Sequence, residues 1–219
     1  METISNGDLR LPGRRLAIAV LLALAVAGCG GEVVVRQTFP AALVQSLPLR
    51  AGLLLDETFV GYVHREERKG DRDWSIALGD ANREWIRSLA DRLFAATQDV
   101  TSVANARNEM PTVDLVLQPA IDTVEFSVPR QSATDHYAVW IRYNFSVYKP
   151  DGELVTRWRV SAYGQSGDEG LSAAEALERA AYIAMRDAAA TVATGFARQK
   201  KIKTAFLQSS LDETVEQSD

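Results

Sequence analysis

Cysteine occurs once in the 219 residues and histidine twice. With Cys29 alone the chain cannot close a disulfide within itself, and with only His64 and His136 a zinc site of the usual ligand count has little to build on. The fold must therefore rest on packing, and 47% apolar residues is an ordinary amount for that. Cationic excess is also missing: 24 Lys and Arg face 29 Asp and Glu, for a net charge of −5. Nucleic acid needs a clustered basic footprint, and anionic lipid headgroups need a polybasic segment, so the balance argues against both partners. There is no Gly-x-x-x-x-Gly-Lys loop and no Gly-x-Gly-x-x-Gly turn, which removes the known nucleotide motifs. Gly164-Gln165-Ser166-Gly167 lacks the spacing of a nucleophile elbow and reads as a loop between strand and helix. The carboxylate pairs Glu66/Glu67 and Asp168/Glu169 fall in charged or Gly-rich stretches, where solvation accounts for them without general acid–base chemistry. The expectation is a protein that is not an enzyme and carries no cofactor and no metal.

Apolar runs long enough to cross a bilayer are absent too. The run at 16–26 has eleven residues, against about 20 for a membrane span. It follows Arg14 and Arg15 and ends in small residues, which is the layout of a secretory signal peptide. Its last residues, Val26-Ala27-Gly28-Cys29, resemble the lipobox of bacterial lipoproteins. That resemblance implies cleavage after residue 28, a diacylglyceryl thioether on Cys29 and an acylated new N-terminus. Each buried methylene of an acyl chain contributes roughly 0.8 kcal/mol, so two or three chains hold a domain on a membrane that it does not cross. Gly30 is not the aspartate that this class associates with inner-membrane retention, so the resemblance places the protein on the periplasmic face of the outer membrane. Removal of residues 1–28 leaves 191 residues with a net charge of −6, a length that suits one domain with a full core.

Along the mature chain, residues 29–48 contain Pro40 and Pro48 and predict a tether with one short strand at 32–35. Residues 50–60 read as a buried strand, and the charged run 64–73 as a solvated loop. A helix is expected from Asp80, whose side chain would cap it, to about Thr97, with Trp85, Ile86, Leu89, Leu93 and Phe94 facing the core. Residues 113–128 predict a strand that bends or lies at an edge at Pro119. From 137 to 163 alternation predicts a hairpin turning at Lys149-Pro150-Asp151-Gly152. A two-residue loop pairs Tyr143 with Trp158 and Ile141 with Val160, whereas a three-residue loop would set Phe145 against Arg157, so the former register, or a bulge that restores it, is expected. Ser172 and Glu175 form a capping box that opens a helix whose inner stripe is Leu177, Ala180, Ala181, Ala184, Ala188, Val192 and Phe196. So much alanine lets the helix lie close to the sheet. Arg198, Lys200, Lys201 and Lys203 are expected at its C-terminal end, where cations complement the helix dipole. Residues 209–219 read as a disordered tail.

This element order gives an α+β two-layer sandwich over 49–208, a mixed or mostly antiparallel sheet with two helices packed on one face. Together with the lipobox it resembles small envelope lipoproteins of the YajG-like type and, more distantly, the LptE-like and curli-secretion folds. The resemblance implies non-catalytic helpers that bind partners at the outer membrane. The candidate contact residues are Trp140, Arg142, Tyr148 and Tyr163 on the wet face of the hairpin, and His64, Arg65 and Arg68 in the charged loop. Exposed aromatics on a sheet mark a partner or ligand surface unless another part of the chain covers them. The alternative is a binder of lipid or glycolipid between sheet and helices, which would need an apolar cavity beneath the Ala-rich helix.

Overall fold

In the computed structural model the described residues are 31–36, 38–39, 44–67, 73–129 and 135–207. Eight strands follow in chain order: β1 (Gly31–Val34), β2 (Leu47–Leu53), β3 (Val63–Glu66), β4 (Trp74–Ala77), β5 (Phe94–Asp99), β6 (Leu115–Ser127), β7 (Tyr137–Tyr148) and β8 (Leu154–Ser166). The helices are α1 (Glu57–Val60), α2 (Gly79–Leu93), α3 (Ala106–Glu109), α4 (Ala173–Gly195) and α5 (Lys200–Ile202), with a 3₁₀ turn at Phe196–Arg198 and a π turn at Lys203–Leu207. The class is α+β with mixed sheets, as expected, but there are two sheets rather than one: β5-β2-β6-β7-β8 and β1-β4-β3. Strands β5, β2 and β6 run parallel, and β6, β7 and β8 antiparallel.

One face of the five-stranded sheet carries the main core. Tyr143 and Phe145 of β7 meet Trp85 of α2 edge-on at 5.6 and 6.2 Å between centroids. Phe126 of β6 meets Trp74 of the small sheet at 6.1 Å. On the inner side of α4, Ala176, Ala180, Ala181, Ala184 and Ala188 are wholly buried. At Gly164 the approach is so close that a Cβ would fall on Ala180 O and Ala184 N of the helix backbone. The run 164–167, expected as a loop, therefore begins inside β8, and Gly164 is there because only glycine lets the helix come this near. The capping box forms as expected, with Glu175 N–H donating to Ser172 Oγ at 3.3 Å and Ser172 N–H to Glu175 Oε2 at 2.7 Å.

The hairpin departs from the expected pairing. Tyr143 lies opposite Val160, not Trp158, and Phe145 takes Trp158. Gly152, at φ +99°, closes a three-residue loop, and the register then shifts between Val147 and Tyr148, where Val155 is the extra residue. The loop alone would have put Phe145 against Arg157; the bulge returns the apolar residues to one face. Its cost falls on Leu154, which is left exposed.

Other expectations are corrected. The tether, where described, belongs to the fold: β1 pairs with β4, Tyr182 donates to Thr38 O at 3.0 Å, and Leu47 and Pro48 open β2. The strand expected at 50–60 ends at Leu53 because Asp56 caps α1, accepting from Phe59 N–H at 2.9 Å. Residues 64–66 lie in β3, not in a loop. Asp80 is inside α2, which starts at Gly79 without a side-chain cap and stops at Leu93, so that Phe94 opens β5 instead of continuing the helix to Thr97. The cluster Arg198, Lys200, Lys201 and Lys203 lies beyond the end of α4, in the turns that follow it. Pro119 falls past Leu117, the last β6 residue paired with β2, where a missing N–H costs the ladder nothing. The expected signal peptide 1–28, Cys29, Arg68 and the tail 209–219 lie outside the described residues.

Candidate functional site

On its second face the five-stranded sheet is only half covered. Residues 100–113 fold back across one end, where Val100, Ala106, Met110 and Val113 pack on Val116 as a small separate core. Tyr148 is drawn into that cover: it packs against the cluster and donates its hydroxyl to Gln118 Oε1 at 3.2 Å. It shares a face with Trp140 but is half-buried and held apart from the Trp140–Tyr163 pair by these contacts.

The uncovered end keeps Trp140 and Tyr163. They are direct cross-strand partners, their rings 5.0 Å apart and tilted by 41°, and they stay 43% and 38% exposed. Tyr163 donates its hydroxyl to Gln165 Oε1 at 2.8 Å, which fixes the ring edge while the ring face stays open. Beside the pair is a shallow depression of about 200 Å³, lined by Thr123, Glu125, Trp140, Arg142 and Ser161 with Ile141 and Ala162 below. Arg142 Nη1 lies 3.8 Å from Asp122 Oδ2, a half-exposed ion pair of small energetic weight. The surface thus offers one aromatic platform, one guanidinium, one carboxylate and two hydroxyls. Glu125 and Thr123 escaped the sequence reading. They face outward opposite Trp140 and Arg142, but a register irregularity between Ile121 and Thr123 reverses the alternation that would have marked them.

His64 and Arg65 are elsewhere. Both belong to the small sheet, on the other side of the five-stranded one, where His64 packs edge-on against Phe126 at 5.9 Å. The His64 side chain is only 18% exposed, with Nε2 3.7 Å from Glu66 Oε2, so it is a packed residue rather than a free loop contact. Arg65 is exposed and lines an open pocket of about 440 Å³ with Gly31, Glu32, Glu66, Glu67, Asp73, Trp74 and Ser75. The expected contact set is therefore divided: Trp140, Arg142 and Tyr163 come together, His64 and Arg65 do not join them, and Tyr148 is half-buried at the other end of the face.

No protein-family model and no curated protein matches the chain. Among solved structures, a hypothetical protein from Chlamydia trachomatis is similar at TM-score 0.40 and 10% identity, covering 77% of this chain and 96% of that one. A candidate lipoprotein from Caulobacter crescentus CB15 is similar at TM-score 0.35 and 14% identity, over 54% of this chain and 85% of that one. A candidate homologue of a neuraminyllactose-binding hemagglutinin from Helicobacter pylori is similar at TM-score 0.35 and 11% identity, over 77% and 95%.

Proposed function

We propose that this is an envelope lipoprotein, anchored through Cys29 on the periplasmic face of the outer membrane, that works without catalysis by holding a partner protein on the open end of its five-stranded sheet. The observation that supports the binding surface is the Trp140–Tyr163 pair, two large aromatic side chains in tilted contact across neighbouring strands and left largely in solvent. Aromatic and arginine side chains that converge on one patch are the usual carriers of binding energy between proteins. The support for the anchor is the sequence from Arg14 to Cys29.

The alternative, a lipid or glycolipid held beneath α4, needs room that the contact at Gly164 does not leave, since not even a methyl group fits between β8 and the helix there. Affinity capture from the native envelope tests the main reading. A protein recovered with the native chain and with Lys200→Ser, but lost with the pair Trp140→Ser and Tyr163→Ser, supports it; equal recovery with all three overturns it. For the anchor, Cys29→Ser is expected to leave the membrane fraction, and a variant that still sediments with outer-membrane vesicles overturns that half.

A further inference from the structure

β8 is the last strand of its sheet, and the direction of its outer hydrogen-bonding groups can be worked out. The backbone N–H of Tyr163 donates to Asp187 Oδ2 at 3.1 Å, on the side away from β7. Tyr163 and Trp140 are therefore a non-hydrogen-bonded pair, and such pairs alternate with hydrogen-bonded ones along an antiparallel ladder. The register is unbroken from Tyr137↔Ser166 to Val147↔Thr156. Arg157, Arg159, Ser161 and Gln165 thus also turn N–H and C=O outward. Asp187 closes the edge at Tyr163, and among the described residues the outward N–H groups of Arg157, Arg159 and Ser161 have no hydrogen-bond partner. The side chains there are Arg157, Arg159 and Ser161, all exposed. Arg157 reaches the Ser146 hydroxyl at 3.4 Å, and among the described residues neither arginine has a carboxylate partner.

We propose that this edge accepts an extended, acidic segment of the partner protein as a further strand, which would lie beside the Trp140–Tyr163 platform. The inference rests on the partner-binding reading above and names the chemistry of the partner. Charge on an edge strand commonly guards against self-pairing, and here it does so against a second copy, whose arginines would meet these at close range across the new ladder. A strand with carboxylates at alternate positions meets the opposite charge instead. Main-chain bonds then give affinity and alternate side chains give selectivity.

The probe is a fluorescein-labelled peptide, Glu-Val-Glu-Thr-Glu-Val-Glu, titrated against the full chain by anisotropy, with its Lys-for-Glu counterpart as control. Saturable binding of the acidic peptide alone is expected. Arg157→Glu with Arg159→Glu should weaken it at least about tenfold, equivalent to about 1.4 kcal/mol. Ser161→Pro should do the same, because it removes an outward N–H while sparing the bonds to β7; circular dichroism checks that it is folded. No binding, equal binding of the Lys peptide, or binding untouched by Ser161→Pro overturns the proposal. Envelope capture separates the two readings: a partner lost with the Trp140 and Tyr163 substitutions but kept by a folded Ser161→Pro leaves the surface standing and removes the added strand.

Discussion

At the scale of single residues, Asn82 shows how one polar group can fix an interface between layers. It is wholly buried in α2, and its Oδ1 accepts from Trp85 Nε1 at 3.2 Å and from the Tyr143 hydroxyl at 3.0 Å. Burial drives the Tyr143 hydroxyl well above its ordinary range, with the Trp85 contact working slightly against it. The sign follows from proton linkage. Below about pH 10 the tyrosine is neutral in both states and stability is level; above it the unfolded chain loses a proton that the folded one retains, and stability falls. Tyr143→Phe should cost about 1 kcal/mol at pH 7 in urea unfolding, through the lost hydrogen bond, and should show a smaller further loss at pH 10.5 than the native chain. At Gly164 the expected effect is larger: Gly164→Ala forces a methyl onto the backbone of α4, and overpacking of this kind costs about 1–3 kcal/mol, to be read from the urea midpoint. Gly164 was legible in the sequence as a glycine but not as a contact, because what demands it is a helix 16 to 20 residues further along the chain.

At the scale of elements, what could be read in advance was whatever depended on neighbours in sequence. The capping box of α4 is spelled by Ser172 and Glu175, and the two-faced pattern of β7 by its alternation, so both could be located. Of the small sheet only β1 was foreshadowed, by the strand expected at 32–35; its pairing was not, since β1 finds β4 across the intervening β2, α1 and β3, and the four-residue β3 and β4 carry too little period to separate from loop. The end of α2 was missed for a related reason. Phe94 continues the helical stripe and only its parallel pairing with Leu47 makes it a strand. Of the contact surface, Trp140 and Tyr163 were visible as outward-facing aromatics, whereas Glu125 was hidden by the irregularity near Asp122. The bulge at Val155 gives a test at this scale. Deleting Val155 removes the extra residue and sets Thr156 next to Leu154, so Phe145 stays opposite Trp158; the variant should keep a cooperative urea-unfolding transition and lose only roughly 1.5 kcal/mol for the buried Val155 side chain. Ser172→Ala should cost about 1 kcal/mol. The Glu175 carboxyl, held below its usual range chiefly by the Ser172 hydroxyl, gives support that is present at neutral pH and is withdrawn as pH falls through the acid range.

For the whole molecule, the two faces of the five-stranded sheet have separate duties. One is filled by α2, α4 and the small sheet; the other is half closed by 100–113 and half open at Trp140 and Tyr163. The segment after β1 is strapped along α4 by Tyr182 to Thr38 and by Arg36 N–H to Glu178 Oε1 at 3.1 Å. β1 itself is pinned at Gly31, whose N–H donates to Asp73 O at 2.8 Å. The described structure begins at Gly31, two positions after Cys29, and two residues of extended chain reach at most about 7 Å. On the proposed anchor at Cys29, a link this short would keep the binding surface beside the bilayer, and whatever it grips would have to arrive at the lipid surface. Lengthening that link with a flexible insert before Gly31 should leave membrane partition unchanged and lower recovery of the partner in envelope capture, because the effective concentration of the surface at the membrane falls with linker length.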